Sequence, residues 1–140
     1  MTVAGRDAVG SRVQPISTSD DVVRARQLAR TLALDCGLSL VDQTKLVTAA
    51  SELARNTLVY GGGGTMSAQL VDAGGRRGVR LSFADEGPGI PDTELALRDG
   101  WSSGSGMGLG LSGARRLVDD FDLRTTDGAG TTVTVTKWAH

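Results

Sequence analysis

Two stretches carry apolar residues at helical spacing. From Ser19 to about Cys36, Val22, Val23, Leu28, Ala29, Leu32 and Ala33 recur every three to four residues. Ser19 reads as the N-cap of this helix, Asp20 and Asp21 suit the positive end of its dipole, and Gly37 is a natural left-handed stop. Ser39 caps a second helix over Leu40–Tyr60, with Val47, Ala50, Leu53, Ala54 and Leu58 as its buried stripe. That helix runs into Gly61-Gly62-Gly63-Gly64, which cannot remain helical and is expected to be mobile. Beyond it the period changes to two. Met66, Ala68 and Leu70 alternate with Ser67 and Gln69, the segment Gly74–Gly78 turns the chain, and Val79, Leu81 and Phe83 alternate with Arg80, Ser82 and Ala84. Strands with one apolar and one polar face belong to an antiparallel sheet covered on one side.

The remaining elements follow from turn chemistry. Arg12–Ile16 predicts a short strand that Pro15 confines to a sheet edge. Asp85–Pro91 is a loop, Asp92–Arg98 a short helix, and Leu109–Asp119 a third long one. Phe121–Thr126 and Thr131–Trp138 form a final hairpin turned at Asp127-Gly128-Ala129-Gly130. Residues 1–11 read as a flexible tail and 12–140 as one domain. The expected fold class is an α/β two-layer sandwich, a mixed, mostly antiparallel sheet with helices on one face.

Composition narrows the function. Fifteen Lys+Arg against sixteen Asp+Glu leave a formal charge of −1, which argues against a nucleic-acid binder that works by excess basic charge. A lone cysteine, Cys36, excludes an intrachain disulfide and makes the cytoplasm the simplest home. One His and one Cys also argue against a protein-built zinc site. No apolar run is long enough to span a membrane. Glycine is the outlier, 20 of 140 residues against a usual ~7%, and all but Gly5, Gly10 and Gly37 lie at or after Gly61.

Four clusters carry candidate chemistry. Glu52 and Asn56 are one helical turn apart and share a face off the buried stripe; a carboxylate there serves as a general base and an amide oxygen as a hard ligand for Mg²⁺, or both are solvated helix residues. Asp85 of Asp85-Glu86-Gly87-Pro88-Gly89 ends the apolar face of a strand, where a bare carboxylate is costly and needs a donor: an adenine amine, a backbone N–H or water. Gly87 and Gly89 allow the backbone to pass close to a flat ligand, or form an ordinary turn. Gly104-Ser105-Gly106-Met107-Gly108-Leu109-Gly110 opens a helix, so its free N–H groups and the hydroxyls of Ser102, Ser103 and Ser105 suit phosphate oxygens. The absence of a Gly-Lys-Ser/Thr there excludes a Walker loop. Thr131 shares strand parity with Val133 and Val135, which turns its hydroxyl to the layer where Asp85 lies. Cys36 reads as a packing residue, Trp101 as a hydrophobic latch, and Arg76 and Arg77 as solvated turn charges.

In this order the clusters resemble the GHKL ATPase superfamily with its Bergerat ATP-binding fold: Glu52…Asn56 as the N-box, Asp85, Gly87 and Gly89 as the first glycine box, Gly106-Met107-Gly108-Leu109-Gly110 as the second, and Gly130-Thr131 as the late Gly-Thr. The resemblance covers about 17–138. It implies ATP and Mg²⁺ as cofactors, Asn56 as the metal residue, Asp85 on the adenine amine, 100–110 as the ATP lid, Thr131 supporting adenine through water, and Glu52 as the catalytic base. The only histidine is His140, so a phospho-accepting histidine on a dimerising helix is missing. Ser51-Glu52-Leu53-Ala54-Arg55-Asn56, Asp85–Asp92, Asp99-Gly100-Trp101-Ser102 and Gly130–Trp138 are similar to small bacterial serine kinases of partner-switching systems, most closely the RsbT type of stressosome-like modules. That resemblance implies a protein serine/threonine kinase whose substrate is a STAS-domain antagonist and whose second partner is a phosphatase regulator or a sigma factor, with no nucleic acid or membrane involved. An anti-sigma factor, a nucleotide-gated binding module and a homodimer all stay open.

Overall fold

A computed structural model of the protein describes residues 11–89, 109–126 and 128–140. In chain order they form β1 (Arg12–Ile16), α1 (Ser19–Cys36), α2 (Leu40–Val59), β2 (Gly64–Ala73), β3 (Arg76–Asp85), α3 (Leu109–Leu117), β4 (Asp120–Thr126) and β5 (Gly130–Trp138). The five strands make one sheet in the order β1-β2-β3-β5-β4. All four neighbouring pairs are antiparallel, so the sheet is not mixed. Consecutive strands joined by tight turns pair antiparallel without needing a crossover.

The helices cover the face built from Met66, Ala68, Val79, Leu81, Phe83, Val133 and Val135, all buried. Leu32 of α1, Leu46 and Leu53 of α2 and Leu111 of α3 close the core from the helical side. Each fully buried Leu or Phe side chain contributes roughly 1.5–3 kcal/mol. The opposite face is polar. Ser82 and Thr134 share a 2.8 Å hydrogen bond across β3 and β5, and Arg80 Nε donates to Thr136 Oγ1 at 3.2 Å.

Several boundaries differ from the sequence expectation. The N-cap of α1 is Thr18, not Ser19: its hydroxyl accepts from Asp21 N at 3.2 Å, and Asp21 Oδ2 accepts in return from Thr18 N at 3.1 Å. Such a reciprocal capping box satisfies two orphan donors at once. A second bond, from Ser17 N at 2.8 Å, holds the Asp21 carboxyl below its ordinary range against the opposing effect of desolvation, with Arg24 and Thr18 adding to the lowering. Val23 faces solvent, and Ala25 and Cys36 take its place in the buried stripe. Gly74 and Gly75, both at positive φ, make a two-residue hairpin turn, and β3 starts at Arg76 rather than after Gly78. The third helix ends at Leu117, two residues early. Gly37 is the left-handed stop of α1 and Ser39 the cap of α2, as expected.

Arg76 is exposed beside the Gly74-Gly75 turn, as expected, but it also has a ring partner. Its guanidinium lies 4.4 Å from the centroid of Trp138, whose Nε1 donates to Asp120 Oδ2 at 2.7 Å. On the helical side, the buried Lys137 places Nζ 3.4 Å from Asp119 Oδ1 and 3.6 Å from Asp42 Oδ1. That cation ties the start of α2 and the entry to β4 onto the last strand.

Candidate functional site

The carboxyl end of β3 is the middle of the sheet, and Asp85 occupies it. Its register partners are Gly64 on β2 and Thr131 on β5. Direct register partners share a face, so Asp85 and Thr131 stand side by side under the helices, as the parity of the two strands predicts. Thr131 is buried, and its hydroxyl lies 3.2 Å from Thr125 Oγ1.

The carboxylate of Asp85 is half-satisfied. Oδ1 accepts from Gly87 N at 2.9 Å, which is the backbone donor that the strand end required. Oδ2 has no hydrogen bond among the described residues. Asp85 lines a cleft of about 400 Å³ together with Gly61, Gly62, Gly63, Gly64, Thr65, Ala84 and Glu86. The carboxylate rests on Gly61, where a β-carbon would overlap it as it stands. A β-carbon on Gly87 would come within 2.8 Å of Gly61 Cα. The Asp85 side chain leaves no room for a β-carbon at Gly61, and the Gly61 backbone leaves none at Gly87.

The glycine run is built into the site instead of being a mobile break. Tyr60 N and Gly61 N donate to Asn56 O at 2.9 and 3.1 Å, and Gly63 N donates to Thr57 O at 2.9 Å. The last turn of α2 is thus extended into the cleft wall. Tyr60 Oη makes a long 3.4 Å contact to Gly89 O, and Gly128 N donates to Pro88 O at 2.7 Å. These contacts tie the loop after β3 to the end of α2 and to the β4–β5 turn.

Asn56 therefore joins the Asp85 cluster through backbone, Asn56 to Gly61 to Asp85. Asn56 is half-buried, and its Nδ2 is buried without a hydrogen-bond partner among the described residues. Glu52, one turn earlier, is half-buried and takes part in no ion pair among the described residues. An amide oxygen is a hard donor of the kind that Mg²⁺ accepts, and nucleotide phosphates and water complete the shell in such sites. No group of three or more His, Cys, Asp or Glu among the described residues builds a metal cage of its own. The residues present fit a metal brought with a phosphate ligand.

Ser102, Ser103, Gly104, Ser105, Gly106, Met107 and Gly108 lie outside the described residues, as do Trp101 and the expected 92–98 helix. Leu109 and Gly110 open α3, which packs against α2. Sequence reasoning missed Gly61 and Tyr60. The signal was present in the placement of the glycines directly after Asn56, but not in any motif that names a function for them.

Comparison with known proteins agrees with this geometry. The family model described as histidine kinase-, DNA gyrase B- and HSP90-like ATPase matches residues 41–139. The chain is 43% identical over 123 residues to the serine/threonine-protein kinase RsbT of Bacillus subtilis, covering 88% of this chain and 92% of the relative. It is 24% identical over 128 residues to an anti-sigma F factor of Thermoanaerobacter, covering 88% and 89%. The fold superposes with a TM-score of 0.62 on the RsbU and RsbW domains of Rv1364c from Mycobacterium tuberculosis, at 22% identity, over 91% of this chain and 32% of that one.

Proposed function

The chain belongs to the family of histidine kinase-, DNA gyrase B- and HSP90-like ATPases, and we propose that within it the chain is an ATP-dependent protein serine kinase of a partner-switching pathway. The observation that carries this reading is the half-satisfied Asp85 carboxylate over the glycine-lined cleft, one backbone link from Asn56. The 43% identity to a serine/threonine-protein kinase supports the choice of reaction.

The residues divide the work. Asp85 Oδ2 accepts the exocyclic amine of adenine, Thr131 supports the base through water, and Gly61 and Gly87 let the ring approach the backbone. Gly89 completes the loop that Tyr60 and Gly128 hold in place. The segment Ser102–Gly110, at the head of α3, is the candidate cradle for the phosphates. Asn56 Oδ1 would hold Mg²⁺, which supplies charge neutralisation on the phosphate oxygens. Glu52, on the same face one turn away, takes the proton from the attacking serine hydroxyl. In-line transfer needs little else beyond positioning.

The chain's protein substrate is, in this reading, a STAS-domain antagonist. Phosphoserine adds about −1.5 to −2 charge. Next to the nucleotide phosphates and Glu52 that charge is repelled, so the modified antagonist leaves and the kinase is free to bind a phosphatase regulator. The buried, unpaired Cys36 is in keeping with a cytoplasmic setting, and no helix among the described residues is long and apolar enough to cross a membrane. Size-exclusion runs with the antagonist test the switch. Release with ATP but not with a non-hydrolysable analogue supports it; a complex that persists after stoichiometric serine phosphorylation rules it out. The anti-sigma F relative favours a second reading, a direct hold on a sigma factor, which predicts a stable sigma complex in the presence of ATP.

A further inference from the structure

Glu52, Arg55 and Asn56 lie within about one turn of α2. Each residue advances an α-helix by about 100°, which puts Arg55 about 60° to one side of Glu52 and Asn56 about 40° to the other. Glu52 therefore stands between the residue read as the metal ligand and an arginine. Burial follows the same order: Asn56 and Glu52 are half-buried and Arg55 is exposed. Arg55 takes part in no ion pair among the described residues, although Glu52 is only three positions away. The exposed strip of α2 to which it belongs also carries Val41, Lys45, Thr48 and Val59. Val41 and Val59 are 62% and 66% exposed, and the exposed charges between them, Lys45 and Arg55, are both basic. Glu52 lies on the margin of this strip.

We infer that Arg55 is a substrate-recognition residue, which pairs with a carboxylate of the protein substrate close to its acceptor serine. The inference rests on the kinase reading and names the feature by which the kinase recognises its substrate. A serine hydroxyl must come within hydrogen-bond distance of Glu52 to lose its proton there. In that reading the nucleotide and its metal lie on the Asn56 side. The protein substrate therefore arrives from the other side, across Arg55 and the exposed strip. The guanidinium is a planar fork that a carboxylate accepts bidentately, and pairing with an acidic substrate segment gives its charge a use. The other use for this cation, on the nucleotide phosphates, fits less well, because Arg55 is turned about 100° from Asn56 and is exposed. With Arg55 held by the substrate's own carboxylate, a newly formed phosphoserine meets Glu52 and the nucleotide phosphates without a compensating cation. The repulsion that releases the product is thereby kept.

Steady-state kinetics of the full chain with ATP and the STAS-domain antagonist test this. Arg55→Ala raises KM for the antagonist about tenfold or more, the loss of a hydrogen bond to a charged group, while kcat and KM for ATP stay at the wild-type values. Arg55→Glu raises it further. Reversal of one acidic residue near the acceptor serine to lysine restores transfer by Arg55→Glu and impairs transfer by the wild type. Arg55 is exposed, so the melting curves of both variants match the wild type. A rise in KM for ATP instead assigns Arg55 to the phosphates and overturns the inference. So does an antagonist KM that neither variant changes, or the failure of every acid-to-lysine reversal around the serine to restore Arg55→Glu. These three outcomes leave the kinase reading standing, whereas a wild-type chain that forms no phosphoserine removes that reading and this inference together.

Discussion

Asp85→Asn separates a structural from a recognition role for the residue at the centre of the sheet. The substitution keeps an oxygen to accept from Gly87 N, the 2.9 Å bond that fixes the loop. What changes is the group at the cleft, where an acceptor oxygen becomes an NH₂ donor. Adenine presents a donor at that position, so one charge-assisted hydrogen bond is lost and two donors face each other. Hydrogen bonds to charged groups contribute about 1.5–3 kcal/mol, which corresponds to ATP binding about 10- to 150-fold weaker. Guanine presents a carbonyl oxygen instead, which the wild-type carboxylate rejects and the new amide accepts. The preference of the wild-type chain for ATP over GTP therefore collapses or inverts. Titration calorimetry with both nucleotides measures the ratio, and thermal melting without nucleotide controls for folding. A variant that binds ATP within about twofold of wild type, or a wild-type chain that does not distinguish ATP from GTP, refutes the placement of adenine on Asp85.

Three further outcomes are expected. Asn56→Ala weakens ATP binding in the presence of Mg²⁺ far more than in its absence, as calorimetry with and without a chelator shows. Lys137→Met leaves Asp42 and Asp119 facing each other without their cation and destabilises the fold by about 3 kcal/mol in urea unfolding, since a broken buried pair leaves charge uncompensated. Asp21→Asn lowers the melting temperature at neutral pH, where the wild-type carboxylate is ionised and accepts from Ser17 and Thr18. Because its folded-state affinity for protons is depressed, that stabilisation is present above the ordinary carboxyl range and is lost as pH falls through it, so the two melting curves converge in acid.

The fold was legible where pattern and chemistry acted locally. Period-two alternation placed Met66–Leu70 and Val79–Phe83 on the inner face, and Gly37 and Ser39 set the corner between the long helices. Asp85 and Thr131 were brought to one side by strand parity alone, and their direct register followed from the β3–β5 pairing. What escaped was decided by tertiary geometry. Thr18 rather than Ser19 caps α1 because Asp21, three residues on, completes a reciprocal box with it. Gly61 looked like the start of a mobile run, yet its N–H bond to Asn56 O and the Asp85 carboxylate against it fix its place. The contact of the exposed Arg76 with Trp138 was not legible, because Trp138 is far away in sequence and adjacent only once β3 pairs with β5. No local pattern encodes such contacts.

Transfer of labelled γ-phosphate from ATP to a serine of the STAS-domain antagonist, compared for the wild-type chain and Glu52→Gln, tests the kinase assignment most directly. The wild type forms phosphoserine on the antagonist and ADP in equal amounts. Glu52→Gln binds ATP with wild-type affinity and transfers about 10²–10⁴-fold more slowly, because the half-buried carboxylate that takes the serine proton is gone. Phosphoserine formed by Glu52→Gln at the wild-type rate, or ADP released by the wild type without any phosphoserine, contradicts the account.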